Sequence, residues 1–251
     1  MIPYCRHDLL WLSKAGREYA LKNIQSCIPQ VELNEKSMLI LGPPLIPAIV
    51  RKQEAEQGEG LQKAQLKALD GYISAGFSSP VIIDGVRLRI GSKVLIDSIE
   101  KRLSPIDVVD LAKTEKKSLP FLEILNGLAR KGVKCNIKVG CFGSAALQLV
   151  TGLPYWRDGS DLDIYLQCNG TRGDLELFFK EVLKYEEQSG ITIDAEIEFP
   201  GFYGVKLKEF FAPGNLVLGK GLYDVKLFNK LSFPKGAGAK KGAGSKTGEL
   251  S

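Results

Sequence analysis

From Ile193 to Phe199 the chain reads Ile-Asp-Ala-Glu-Ile-Glu-Phe, apolar and acidic residues in unbroken alternation. A period of two belongs to a strand, whose side chains point to opposite faces in turn, so one face is apolar and the other carries Asp194, Glu196 and Glu198. On a helix the same residues would spread acids around every side and bury nothing. Asp161-Leu162-Asp163-Ile164-Tyr165-Leu166 repeats the pattern, with Asp161 and Asp163 on one face and Leu162 and Ile164 directed to a core. Two half-acidic strands demand a sheet whose apolar side is covered and whose acidic side faces something else.

The surrounding pattern supplies the cover. Helical spacing predicts a helix over Leu119 to Arg130, a strand over Asn136 to Val139, a turn at Gly143-Ser144 and a short helix over Ala145 to Val150. A long helix over Asp174 to Glu187 then separates the two acidic strands. Earlier, Ser104 and Pro105 open a helix, the serine as cap and the proline at the first helical position, where its missing N–H costs nothing. At 251 residues and 44% hydrophobic content the chain can bury a substantial core. The order of elements predicts an α/β (α+β) fold: a small amino-terminal domain over 1–103, then a domain with a mixed, open sheet over 104–234. A flexible Gly/Lys-rich tail is expected over 235–251, whose composition cannot repay the entropy of ordering. Arg51 to Ala68, rich in Gln, Glu and Lys and holding Gly58 and Gly60, reads as a surface loop or a loosely held helix.

Several function classes drop out. No apolar run approaches the ~20 residues of a membrane span, and the amino terminus lacks a basic-then-apolar leader, so the expectation is a cytoplasmic protein without a membrane partner. Cys5, Cys27, Cys135, Cys141 and Cys168 are odd in number and have no CxxC or Cys/His spacing, which suggests neither a disulfide framework nor a zinc site. A net charge of +5, part of it in the tail, does not point to nucleic acid. It suits an acidic partner or a phosphate-rich ligand.

The chemistry concentrates after Asn136. Gly143-Ser144 lies between a predicted strand and a predicted helix, where backbone N–H groups and the positive helix end converge on a seat for phosphate oxygens. Glycine admits a close approach and the serine hydroxyl adds a donor. Asp161 and Asp163 share a strand face and repel each other, a conflict that a divalent cation removes; Mg²⁺ is commonly held by one or two carboxylates plus substrate phosphates. If the strand from Ile193 lies alongside, one of its acids completes the metal site, with Asp194 the first candidate and Glu196 the second, while Glu198 reads as part of a solvated face. Gly143 and Ser144 for a triphosphate, with Asp161 and Asp163 for metal, are the equipment of a nucleotidyltransferase, so residues 104–234 are expected to form a nucleotidyltransferase-like catalytic domain.

These segments also resemble a known family. Gly143-Ser144 through Gln148, Thr151-Gly152-Leu153-Pro154-Tyr155 and Ser160-Asp161-Leu162-Asp163 are similar to the signature of the phosphoribosyl-dephospho-CoA transferase of malonate decarboxylase. Arg6-His7-Asp8-Leu9-Leu10-Trp11-Leu12 is similar to the family's opening. The resemblance implies transfer of a triphosphoribosyl-dephospho-CoA prosthetic group to a serine of the acyl carrier subunit, with release of pyrophosphate. Such a reaction is served by two Mg²⁺ ions about 3.5–4 Å apart, which stabilise the attacking and leaving oxygens. Asp161 and Asp163 would hold them, and Gly143 and Ser144 the leaving pyrophosphate.

Other residues are expected to play lesser parts. His7, the only histidine, lies in an apolar run and reads as a structural hydrogen-bonding group for Asp8 or nearby backbone. Arg6 could reach a phosphate. Arg87 and Arg89 share a strand face that reads as solvated, and Trp156-Arg157 reads as packing beside a possible nucleotide. Lys226 is a minor candidate for neutralising phosphate. Two rival readings stay open: a nucleotidyltransferase that adenylylates a protein or small molecule, and a non-catalytic module that binds a nucleotide or partner.

Overall fold

The computed structural model describes residues 4–53, 71–115 and 118–233. Most of the polar stretch after Arg51, from residue 54 on, and the expected tail over 235–251 lie outside the described residues.

The amino-terminal half is one antiparallel sheet. Its strands are β1 (Leu9–Leu12), β2 (Ile24–Ile28), β3 (Ala48–Val50), β4 (Tyr72–Ile83), β5 (Val86–Leu95) and β6 (Ile99–Leu103). They lie in the order β2-β5-β4-β3-β1-β6. Between β4 and β5 the turn uses Asp84 and Gly85 at φ of 49° and 78°, the left-handed pair whose twist matches that of a two-residue hairpin. Helices α1 (Lys14–Lys22) and α2 (Leu33–Leu41) pack against each other, and α1 also lies against β5. Ser13 caps α1 by accepting from the Gly16 N–H at 3.2 Å.

Ser104 and Pro105 do open α3 (Pro105–Ala112), through a capping box in which Ser104 and Asp107 satisfy each other's backbone N–H groups. The next helix, α4 (Leu122–Lys134), starts three residues later than expected because Pro120 disfavours helical backbone at Leu119. Then come β7 (Ile137–Cys141), α5 (Gly143–Thr151), β8 (Leu162–Cys168), α6 (Arg172–Ser189), β9 (Ile193–Phe199), β10 (Tyr203–Lys206), α7 (Leu207–Phe211), β11 (Leu216–Lys220) and β12 (Val225–Asn229). The second sheet runs β12-β11-β10-β9-β8-β7. Only β8 and β9 pair in parallel, because α6 carries the chain back across the sheet; every other neighbour is antiparallel. The architecture is the expected α/β one, with a mixed sheet.

The alternation in β8 and β9 does what its period requires. Leu162, Ile164, Leu166, Ile193, Ala195, Ile197 and Phe199 are all buried in one core with residues of α4, α5 and α6. A second core fills the amino-terminal sheet. Strand β1 serves both: Leu9 enters the first core, while Leu10 and Leu12, on the other face, enter the second. None of the five cysteines is in a disulfide, and no helix among the described residues is long and apolar enough to cross a membrane.

Candidate active site

Strand β7 ends at Cys141, the chain turns through Phe142, and α5 begins at Gly143. Phe142 occupies the cap position and has no side-chain acceptor to offer, so the first N–H groups of α5 are left for another partner. Beside this turn, the Phe142 N–H donates to the Asp163 carbonyl at 3.1 Å. Gly143 sits at φ 67°, and a Cβ there would overlap the Asp163 carboxylate. The missing side chain is what lets Asp163 rest against the positive end of α5. Asp161 precedes β8 and is exposed.

The parallel pairing of β8 and β9 sets Asp163 opposite Asp194 and Tyr165 opposite Glu196. Burial pushes the Asp163 carboxyl up, and the charge of Asp194 pushes it further against the pull of Lys206, to about 7. Lys206, on β10, bonds to Asp194 and lies 3.2 Å from Glu196 Oε1. Burial pulls its ammonium down, but these two acids outweigh that and hold it above its ordinary value.

Glu196 is 3% exposed. Burial alone would raise its carboxyl; the His7 hydrogen bond, Arg6 and Lys206 overcome that and bring it down to about 2. His7 Nε2 lies 3.2 Å from Glu196 Oε2, and its ring stacks on Phe142 at 3.9 Å. Burial holds the His7 imidazole below its ordinary value, so at neutral pH the ring is a neutral donor, and the charge of Glu196 is balanced by Arg6 and Lys206. The local partner expected for His7 is therefore wrong. A backbone φ of 73° at His7 turns the ring away from Asp8, which instead pairs with Arg102 at 2.8 Å. Arg6 Nη1 donates to the Lys220 carbonyl at 3.0 Å and lies 3.8 Å from Glu196.

Residues 107–230 match the family model described as the phosphoribosyl-dephospho-CoA transferase MdcG C-terminal domain, a span that holds Gly143, Ser144, Asp161, Asp163 and Asp194. A phosphoribosyl-dephospho-CoA transferase of Bradyrhizobium diazoefficiens is 24% identical over 237 residues, 94% of each chain. One of Xanthomonas euvesicatoria pv. vesicatoria is 23% identical over 230 residues, 91% of this chain and 96% of that one. Along nearly its whole length, then, the chain is similar to phosphoribosyl-dephospho-CoA transferases. No solved structure gives a match.

The acid face of the second sheet is less uniform than its alternation suggests. Asp161, Asp163 and Asp194 are the hard oxygen donors Mg²⁺ takes, and the crowding that raises Asp163 is what a dication relieves. As placed, no three acidic, histidine or cysteine side chains among the described residues converge on one metal position, and Lys206 holds Asp194. Asp161 and Asp163 fit an open site completed by substrate phosphates; a closed three-carboxylate cage does not fit. Glu198 is half-buried and partnered, accepting from the Tyr165 hydroxyl and from Gln167 Nε2 at 3.5 Å.

Of the two arginines on β5, Arg87 departs from the solvated face expected for the pair and Arg89 keeps to it. Arg87 donates to the carbonyls of Ser79 at 3.0 Å and Tyr155 at 2.9 Å, while Arg89 is exposed. Trp156 packs on Phe121 at 4.7 Å, and Arg157 donates to the Pro80 carbonyl at 2.8 Å. Lys226 lies over the Phe228 ring on the edge strand β12. Sequence reasoning missed Lys206, which carries no motif signal, and gave His7 the wrong partner; the one signal for His7 was its place in the Arg6 to Leu12 opening that resembles the family's.

Proposed function

We propose that this chain transfers the triphosphoribosyl-dephospho-CoA prosthetic group to a serine of the acyl carrier subunit of malonate decarboxylase. The names of its relatives support the donor, and one observation supports the site: Asp163 rests against Gly143 at the uncapped start of α5. That contact joins the phosphate seat and the carboxylates in one place.

In this reading the serine oxygen bonds to the α-phosphorus as the bond to pyrophosphate breaks, and the hydroxyl proton is released. Gly143 and Ser144 hold the departing pyrophosphate through backbone N–H groups and the serine hydroxyl, donors already fixed in position before reaction. Asp161 and Asp163 would hold the divalent metal, two Mg²⁺ ions in the full form of the proposal, which neutralises charge on the attacking and leaving oxygens. Lys206 keeps Asp194 and Glu196 from repelling that charge further. The His7 ring, braced on Phe142 and bonded to Glu196, fixes the turn that presents Gly143.

The test is mass spectrometry of the carrier subunit after incubation with the full chain, Mg²⁺ and the triphosphoribosyl donor. The expected product is the carrier heavier by the donor less pyrophosphate, on one serine. A carrier left unmodified, with label instead transferred from ATP, would overturn the assignment in favour of an adenylylating nucleotidyltransferase.

A further inference from the structure

A cavity of about 300 Å³ opens beside His7, whose ring stacks on Phe142. Its walls come from both halves of the molecule: Arg6, His7, Ile49 and Lys52 from the first, Lys220 and Val225 from the second. No carboxylate lines it among the described residues. Lys52 and Lys220 are both exposed, and neither ammonium has an ion-pair partner among the described residues. The guanidinium of Arg6 is already fixed by the Lys220 carbonyl. Arg51 also lines the cavity, but its Nη1 donates to the Ser26 hydroxyl at 3.2 Å.

Arg6 is already paired with Glu196 at 3.8 Å, but Lys52 and Lys220 bring two further cations to the same cavity from separate segments, and a bound anion removes their repulsion. The volume stands at the low end of the roughly 300–1,000 Å³ that hold small ligands, which fits a diphosphate between Arg6, Lys52 and Lys220 but not a whole nucleotide. If the proposed transfer is right, the donor carries two polyphosphate groups. Its triphosphate belongs at Gly143-Ser144. The diphosphate within its dephospho-CoA portion is the second, and it needs a seat elsewhere.

We infer that this cavity, resting on the transfer reading for its ligand, is the seat of the dephospho-CoA diphosphate, held by Arg6, Lys52 and Lys220. The donor then reaches past His7, its reactive triphosphate at the Gly143 turn and its anchoring diphosphate in the cavity. Lys52 and Lys220 set affinity for the donor and do not touch the reacting phosphorus.

The experiment is calorimetric binding of dephospho-CoA, and separately of inorganic pyrophosphate, to the full chain, to the Lys52→Ala/Lys220→Ala double variant and to Asp161→Asn. Both lysines are exposed, so the double variant should fold, which circular dichroism checks. Dephospho-CoA should bind the double variant at least about tenfold more weakly than wild type, with a shallower dependence on salt, and should bind Asp161→Asn as it binds wild type. Inorganic pyrophosphate, which fits either seat, should keep its lysine-independent site at Gly143-Ser144 in the double variant and lose only the lysine-dependent one. Equal dephospho-CoA affinity in wild type and double variant, or no binding to wild type, overturns the inference. Loss of pyrophosphate affinity alone also overturns it, by giving the cavity to the leaving group. Lysine-dependent dephospho-CoA binding by a protein that modifies no carrier would instead sink the transfer reading and leave the anion seat standing.

Discussion

Two acids one pair apart on β9 carry different burdens. Asp194 faces Asp163 across the parallel pair and holds Lys206, so its removal frees Lys206 to pair with Asp163 and should strike activity: Asp194→Ala is expected to lower kcat by about 100-fold or more, the low end for disturbing a major electrostatic contributor. Glu196 is buried among His7, Arg6 and Lys206, and Glu196→Ala should cost about 3–5 kcal/mol of stability, the penalty of breaking a buried ion pair from one side. Urea denaturation beside a turnover assay separates the two, and equal stability of both variants would contradict this division. Asp163→Asn should fold normally, since it removes a crowded charge, and should abolish transfer; near-wild-type turnover at saturating Mg²⁺ would remove Asp163 from the chemistry. Gly143→Ala should fail in both assays, because its side chain meets the Asp163 carboxylate and its backbone lies where a Cβ costs about 1–2 kcal/mol.

At the scale of the element, α5 and α6 start in opposite ways. At α6, the Thr171 N–H and hydroxyl both donate to Asp174, and the Asp174 N–H donates back to the Thr171 hydroxyl. Thr171→Ala should therefore cost about 1 kcal/mol with no effect on kcat, read by thermal denaturation and turnover. The backbone N–H of Thr171 first, and then its hydroxyl, hold the Asp174 carboxyl below its ordinary 3.8. A depressed carboxyl contributes stability that is present above 3.8 and is lost as pH falls through its folded-state value, so Asp174→Asn should flatten that acid limb of the stability curve. An unchanged limb would place the acid sensitivity elsewhere. At α5 no such cap exists, and its N–H groups face the place where Asp163 lies.

Across the whole molecule, the two sheets are fastened where the Thr151 to Tyr155 segment meets β4. The buried Tyr155 hydroxyl donates to the Ser78 carbonyl at 2.7 Å, and Arg87 reaches back to the Tyr155 carbonyl. This motif thus ties the halves together, and the cavity beside His7 depends on their being held. Tyr155→Phe should lower stability by about 1 kcal/mol, the net worth of an ordinary hydrogen bond, and should weaken donor binding more than it slows bound-state turnover. A change confined to kcat would place Tyr155 in the chemistry.

The alternating runs at Asp161 to Leu166 and Ile193 to Phe199 were enough to determine two strands, their buried faces and their acidic faces, because side-chain direction in a strand follows from the period alone. Ser104-Pro105 likewise fixed a helix start, since a cap is a local device. The pairing of Asp163 with Asp194 was not legible there: it depends on β8 and β9 being parallel neighbours in one register, which the packing of α6 and the shared core decides. The fate of each acid followed from that placement. Asp194 went to Lys206, Glu196 to His7 and Glu198 to Tyr165, three acids identical in pattern and different in partner. His7 was the hardest to foresee, because its partner lies 189 residues away. Its own neighbours offered it an adequate local bond, and only the closure of the amino-terminal loop over the second sheet, with His7 turned through a left-handed backbone, gave it a different one.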